Sequence, residues 1–346
     1  MPSLASQSPT RTTVHVVAPA RLHLGFLDLD GTLGRRYGSI GLAIDQPATE
    51  LSLEHSSATD NATQPEPQVE VRGSEHARIT KLLRSSLERY GFTGNFELKV
   101  TQTIPPHAGL GSGTQLALAI GTAVAEMSDK DAPAHAIGQA NARGARSAIG
   151  IAAFEKGGFL VDGGRGIMDR PAPMISRLEF PDAWRAILVF DRSNEGVHGE
   201  KEASAFANLP TMPQNTAAHL CHLTLMKLLP AIVEQDLTTF GAALQEIQRT
   251  VGEHFAPHQG GTIWASPRVG DFMQQLADAG AVGIGQSSWG PTGFAFTSDP
   301  AIAHNIVRHL QSAAHQHGLD LQIVRGRNSG ARVTKNGPRL EPTKIN

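Results

Sequence analysis

Ile104-Pro105-Pro106-His107-Ala108-Gly109-Leu110-Gly111-Ser112-Gly113-Thr114-Gln115-Leu116-Ala117-Leu118-Ala119 is the stretch whose reading decides the fold. A strand-like run ends at Ile104 and two prolines stop it. Gly109, Gly111 and Gly113 then let the backbone turn through positive φ and approach a ligand closely. An apolar helix follows, with Ser112 or Thr114 placed to cap it. The first N–H groups of a helix are unpaired and lie at the positive end of its dipole, which makes them a site for an anion, most often a phosphate. Gly109, Leu110, Gly111, Ser112, Gly113 and Thr114 are therefore expected to bind a phosphate. No lysine follows Gly113, so this is not a Walker loop, and no Gly-x-Gly-x-x-Gly opens here.

Outward from that loop, the chain of 346 residues is long enough for two domains at roughly 150 residues each. With 40% hydrophobic residues it can build real cores. A formal charge of −2 gives no general field for nucleic acid or an anionic membrane. One cysteine, Cys221, excludes a disulfide framework and fits a reducing cytoplasm. Met1–Thr12 lacks the apolar core of a signal peptide, and no uninterrupted apolar run nears the 18 residues of a membrane span.

Strands are expected at Val14–Ala18, Leu22–Leu29, Ile40–Ile44, Glu50–Leu53, Phe96–Val100, Gly158–Val161, Ala186–Phe190, Val282–Gly285, Gly293–Phe296 and Leu321–Val324. Helical spacing marks Glu75–Tyr90, Thr114–Glu126, Ala134–Ala142, Ser147–Ala153, about 213–229, 236–254 and 267–278, and Ala301–Gly318. Strands and helices mix without strict alternation, which argues α+β. Prolines 171, 173 and 181 break the pattern near 165–183, so the expected units are 13–180 and 181–335, flanked by loose tails at 1–12 and 336–346.

Further residues carry possible chemistry. Arg21 and His23 share one face of a strand; the guanidinium suits a phosphate or carboxylate, and the imidazole moves a proton or simply hydrogen-bonds. Asp28 and Asp30 also share a face and suit Mg²⁺, although Asp30-Gly31 reads first as a hairpin turn. Arg35 lies in a glycine-flanked cationic loop, and Arg146 in Arg143-Gly144-Ala145-Arg146-Ser147. Asp162, before Gly163-Gly164, is a candidate base or metal ligand. Gln286, Ser287 and Ser288 offer neutral hydrogen bonds, and Trp289 offers a ring to stack on. The stretch Asp191–Glu200 follows a buried strand and reads as a solvated loop. The histidine pairs 219/222 and 254/258 lack the company a zinc site needs.

Pro105 through Ser112 resembles the phosphate loop of the GHMP superfamily of small-molecule kinases. Arg21-Leu22-His23, Leu27-Asp28-Leu29, Gly34-Arg35 and Gly38-Ser39-Ile40-Gly41 look like the opening of one branch, the β-ribofuranosylaminobenzene 5′-phosphate synthases. Arg146-Ser147, Gly150, Phe154 and Gly157-Gly158-Phe159 through Gly164 look like its middle, and Gly285 through Thr292 like its C-terminal motif. The resemblance runs from about 13 to 330. It implies a ribosomal S5-like N-terminal domain and a ferredoxin-like C-terminal domain. It also implies a cytoplasmic homodimer in tetrahydromethanopterin synthesis, joining phosphoribosyl diphosphate to 4-aminobenzoate with loss of CO₂ and diphosphate. Mg²⁺ is expected with the diphosphate, and ATP is not. On this view Arg21, His23 and Asp162 are catalytic; Arg35 and Arg146 join the loop in binding phosphate; Gln286, Ser287, Ser288 and Trp289 meet the aromatic ring; and Asp28 is the metal candidate. Arg21 or Arg146 is placed to hold the carboxylate, and Trp289 or Phe159 to stack. The usual kinase lysine and Gly-Glu-His are replaced by Arg21 and Gly25-Phe26-Leu27, which weighs against the alternative of an ATP-dependent kinase. A non-catalytic metabolite-binding protein is the other alternative.

Overall fold

The computed structural model describes residues 11–56, 66–166, 171–193, 196 and 199–340. The chain opens with two long antiparallel strands, β1 (Arg11–Asp28) and β2 (Arg35–Ser56). Each covers two of the expected strands, because a register shift at Pro19/Ala20 bends the pair without ending it. The elements β3 (Gln68–Arg72), α1 (His76–Tyr90), β4 (Asn95–Gln102), α2 (Ser112–Met127), α3 (Ala134–Ala140), α4 (Ile149–Glu155), β5 (Phe159–Asp162), β6 (Arg165–Gly166) and β7 (Met174–Leu178) follow. Among the described residues the second half holds β8 (Arg185–Asp191), α5 (Gly199–Asn208), α6 (Gln214–Leu223), a π-helical turn at Thr224–Leu228, α7 (Leu229–Val233), α8 (Leu237–Phe255), α9 (Pro267–Asp278), β9 (Val282–Gln286), β10 (Gly293–Thr297), α10 (Pro300–Gln316), β11 (Leu319–Arg325) and β12 (Arg332–Asn336).

The strands form two sheets. The first runs β12-β1-β2-β4-β3, with β5 and β6 on the far end of β2 and β7 on β5. The second runs β11-β8-β10-β9, all antiparallel. In chain order that is 4-1-3-2 with helices at both crossovers, the ferredoxin-like arrangement. The expected boundary near 181 falls before β8, but the C-terminal unit does not run on to 335. β12 returns to the first sheet, with Thr13 opposite Asn336. The expected tails are shorter for the same reason: Arg11 and Thr12 are in β1, and Asn336 is paired. The stretch 165–183, expected to be irregular, contains β6 and β7.

Burial along β1 shows how the halves join. From Arg11 to Ala18 alternate residues are buried, and Val14, Val16 and Ala18 enter the core between the first sheet and α1 and α2. From Ala20 onward both faces are covered, and Leu22, Leu24 and Phe26 pack with Phe240, Leu244 and Ile247 of α8 and with Phe294 and Phe296 of β10. Each such side chain contributes about 1.5–3 kcal/mol on burial, so the second half of β1 is fastened to both units. Residues 214–233 are long and apolar enough to cross a membrane by composition, yet Leu220, Leu223, Leu228, Ala231 and Ile232 of this helix lie in the same core.

Candidate active site

β1 delivers Arg21 and His23 to the wall of a cleft of about 650 Å³ between the two units. The opposite wall is the glycine loop. His107, Gly109 and Gly111 have φ of 56°, 76° and 82°, so the loop reverses twice before α2 begins at Ser112. Both glycines are needed for close approach as well. A Cβ at Gly109 would stand 2.1 Å from the carbonyl oxygen of Ser287, and one at Gly111 would press on the Arg21 side chain at 3.3 Å. The N-cap is Gly111 and no side chain caps the helix, which corrects the expectation for Ser112 and Thr114. By contrast α8, α9 and α10 are capped by Asp236, Ser266 and Asp299. In α2 the first bonds run from Thr114 N–H and Gln115 N–H to Gly111 C=O, each 3.0 Å. The amides of Ser112 and Gly113 precede them at the cleft.

Four guanidinium groups line this cleft: Arg21, Arg78 from the first turn of α1, and Arg143 and Arg146 from the loop before α4. Arg78 and Arg143 hang over the helix start, where a Cβ on Gly113 would lie 2.6 Å and 3.4 Å from their Nη2 atoms. Arg78 is braced by Glu75 at 2.5 Å, and Arg21 donates to the carbonyl of Gly109. Arg146 stacks 4.2 Å over the ring of Phe206. Among the described residues that line the cleft there is no carboxylate. The concentration of positive charge shows in His23, which is 3% exposed. Burial first, then Arg21 and, more weakly, Arg146, pull its pKa from 6.5 down to about 3.

The remaining wall is aromatic and neutral. Phe26 packs on Phe206 at 5.6 Å, and Phe206 on Trp289 at 5.3 Å. The turn after β9 is stitched to the first unit at three points. Ser287 Oγ accepts from His23 N–H (3.0 Å) and donates to Gly109 C=O (2.8 Å), while Ser288 N–H donates to His23 C=O (3.1 Å).

Arg21, His23, Gly109, Gly111, Ser112, Gly113, Thr114, Arg146, Ser288 and Trp289 thus share one cleft. Other expected site residues do not. Leu110 is buried in the core, and only its backbone reaches the site, accepting from Arg21 N–H at 3.2 Å. Arg35 is spent on the carbonyls of Gly163 and Gly164, both at 2.8 Å, outside the cleft. Asp162 is fully buried outside the cleft lining and accepts from Ala148 N–H (2.9 Å), Gly164 N–H (2.9 Å) and Ser147 Oγ–H (3.3 Å), bonds that tie down the Ser147 loop. Burial raises its pKa against those bonds. Asp28 lies outside the cleft lining, and its Oδ1 accepts from the amides of Asp30 and Gly31 at 2.8 Å each, closing a turn. Gln286 bonds Ala265 N–H (2.7 Å) and Gln259 (2.9 Å), and Ser287 is the staple above, so both hold the turn in place. The ring of Trp289 is packed by Phe206 and Phe255, and Phe159 is sealed in the core. Positions 194, 195, 197 and 198 of the 191–200 stretch lie outside the described residues; Asp191 accepts from Ser266 Oγ–H at 2.7 Å. Sequence reasoning missed Arg78, Arg143, His107, Phe26 and Phe206 as lining residues.

This geometry has relatives. The model of the GHMP kinase N-terminal domain matches residues 77–158, which include the loop and α2, and that of the GHMP kinase C-terminal domain matches 228–316. The β-ribofuranosylphenol 5′-phosphate synthase of Methanothermobacter thermautotrophicus is 31% identical over 92% of this chain and 97% of its own length. That of Archaeoglobus fulgidus is 33% identical over 91% and 97%. The chain belongs to this synthase family. The fold is shared more widely. Homoserine kinase from Cytophaga hutchinsonii superposes with a TM-score of 0.66 at 18% identity, covering 96% of this chain and all of that one. Mevalonate kinase from L. major superposes with 0.65 at 14%, covering 94% and 97%. These kinases share the fold. The synthases carry a phenol in their name where the sequence resemblance implies an aminobenzene.

Proposed function

We propose that this chain joins phosphoribosyl diphosphate to a para-substituted benzoate, with loss of CO₂ and diphosphate, to form a carbon-linked riboside 5′-phosphate. The observation that carries this reading is the division of one cleft into two chemistries. Four arginines and the start of α2 make one side, and Phe26, Phe206, Trp289 and a neutral His23 make the other. The first side suits the phosphates of one substrate, the second the ring of the other. The phenol in the relatives' name favours 4-hydroxybenzoate as acceptor over 4-aminobenzoate.

On this reading the arginines bind the diphosphate and offset the charge it gains as it leaves, which is electrostatic stabilisation of the departing group. The ribose carbon becomes oxocarbenium-like. The ring carbon bearing the carboxylate attacks it, positioned by the aromatic wall. Arg146, held by its stacking on Phe206, reaches the border between the two sides and is placed to hold the carboxylate until CO₂ departs. The described lining residues do not fit a resident metal, since none is a carboxylate; Mg²⁺ enters this reading only as the counter-ion of the diphosphate substrate.

The experiment is to mix the protein with phosphoribosyl diphosphate, Mg²⁺ and 4-hydroxybenzoate or 4-aminobenzoate, without ATP. Release of CO₂ and diphosphate with an aryl riboside is the expected result. A requirement for ATP, or transfer of its γ-phosphate to an acceptor, would establish a kinase instead.

A further inference from the structure

Two residues that line the cleft carry a buried ring nitrogen with no hydrogen-bond partner among the described residues: His23 Nε2 and Trp289 Nε1. Both residues are 3% exposed. Both line the main cleft and also a smaller cavity of about 30 Å³ next to it, walled further by Gln248, Val251, Phe255, Gln259 and Gln286. That space admits one hydroxyl or water, for which roughly 10–15 Å³ suffices. Buried polar atoms are nearly always paired in folded proteins, and two orphans on one cleft wall point to a ligand that pairs them.

The two atoms differ in kind. An indole N–H only donates. His23 Nε2 is orphaned and Nδ1 is not among the orphaned atoms. In the tautomer that keeps the proton on Nδ1, Nε2 carries a lone pair and accepts. One donor and one acceptor match a hydroxyl, which accepts and donates at once. They do not match an amino group on an aromatic ring, whose lone pair is drawn into the ring and which only donates.

We propose, on the basis of the condensation reading above, that His23 and Trp289 grip the phenolic oxygen of a 4-hydroxybenzoate acceptor and select it over an arylamine. Trp289 N–H donates to the oxygen, and the O–H donates to His23 Nε2. The attacking carbon lies across the ring from that oxygen. With this carbon turned to the ribose beside the arginines, the oxygen reaches away from them, toward the small cavity. As the ring carbon bonds to the ribose, the bond to diphosphate breaks and diphosphate takes its electron pair. The O–H pair becomes the C=O of a dienone and the proton passes to His23. When the bond to CO₂ breaks, its pair restores the aromatic ring and the oxygen recovers the proton. Arg21 and Arg146, which depress the proton affinity of His23, are charges that the anionic substrates offset.

The test measures kcat/KM of the full-length protein for 4-hydroxybenzoate and 4-aminobenzoate, in wild type and in Trp289→Phe, which removes the N–H and keeps a ring. The wild type is expected to prefer the hydroxyl, and Trp289→Phe to lower that preference about tenfold. A wild type that prefers the amine, or a ratio that Trp289→Phe leaves unmoved, overturns the assignment. A wild type that turns over neither acceptor overturns the condensation reading itself. If the variant does not fold, the wild type decides by inhibition. 4-Methoxybenzoate, which accepts but cannot donate, is expected to bind several-fold more weakly than 4-hydroxybenzoate, and 4-methylbenzoate more weakly still; equal binding of all three overturns the assignment.

Discussion

His23 is held neutral at a pH where an exposed imidazole would begin to charge, and this has a cost with a definite sign. Its folded pKa is about 3 against 6.5 unperturbed. Between those values the unfolded chain binds more protons than the folded one, so the contribution to stability is complete above about 6.5 and is lost as pH falls toward 3. The slope is at most about 1.4 kcal/mol per pH unit. His23→Gln is expected to flatten the stability curve between pH 4 and 6.5, as read from urea midpoints; an unchanged slope would mean the imidazole is not buried neutral. Arg21 makes a second prediction. Its fork donates to Gly109 C=O while its stem covers Gly111. Arg21→Lys keeps the charge and loses the fork. Affinity for phosphoribosyl diphosphate should drop at least tenfold, on the scale of roughly 1.5–3 kcal/mol per charged hydrogen bond, as titration calorimetry would show. Arg21 and His23 were legible because a cation and an imidazole two apart on a strand must share a face. Arg78 was not, because an arginine in the first turn of an amphipathic helix is ordinarily just solvated. The protein partners of Asp162, Arg35, Gln286 and Ser287 were not legible for one common reason: beside a glycine turn, a polar side chain serves a ligand or the backbone. The choice is made by partners far along the chain, such as the 128 positions between Arg35 and Gly163.

At the scale of the element, α2 and its glycine loop behave as one device. The loop turns through left-handed residues so that the uncapped start of the helix faces the cleft. Gly111→Val would force a β-branched residue into φ of 82° and push against Arg21 at 3.3 Å. The strain alone should cost about 1–2 kcal/mol of stability. The larger expected effect is on binding: a loss of phosphoribosyl diphosphate affinity of about a hundredfold or more if two charged hydrogen bonds go. A folded variant with unchanged affinity would remove the loop from the site. The loop was legible since prolines, glycines and an apolar helix follow one another within sixteen residues. The strands β7 and β12 were not. Met174–Leu178 and Arg332–Asn336 are short, carry charges and leave residues exposed, as edge strands do, and only their pairing with β5 and β1 identifies them.

Across the whole molecule, the two units share a core and a cleft, and α+β architecture was readable from the mixture of periodicities. The return of β12 to the first sheet was not, because it depends on a contact between residues more than 300 apart. That return brings the two ends of the described chain side by side: Thr13 faces Asn336, and Thr12 Oγ1–H donates to Pro338 C=O at 2.8 Å. The path of the backbone is therefore nearly a closed ring, and where it is cut is arbitrary. A circular permutant that joins Pro338 to Arg11 through a short linker, with new termini opened at the exposed tip Thr32–Gly34, should keep the parent's circular dichroism and a denaturant midpoint close to it. It should also keep its affinity for phosphoribosyl diphosphate, since neither the seam nor the new opening touches the cleft. In a permutant the order of synthesis changes as well: β2 would emerge first and β1 last, so the strand that joins both cores, with Arg21 and His23 on it, would be the last to be made.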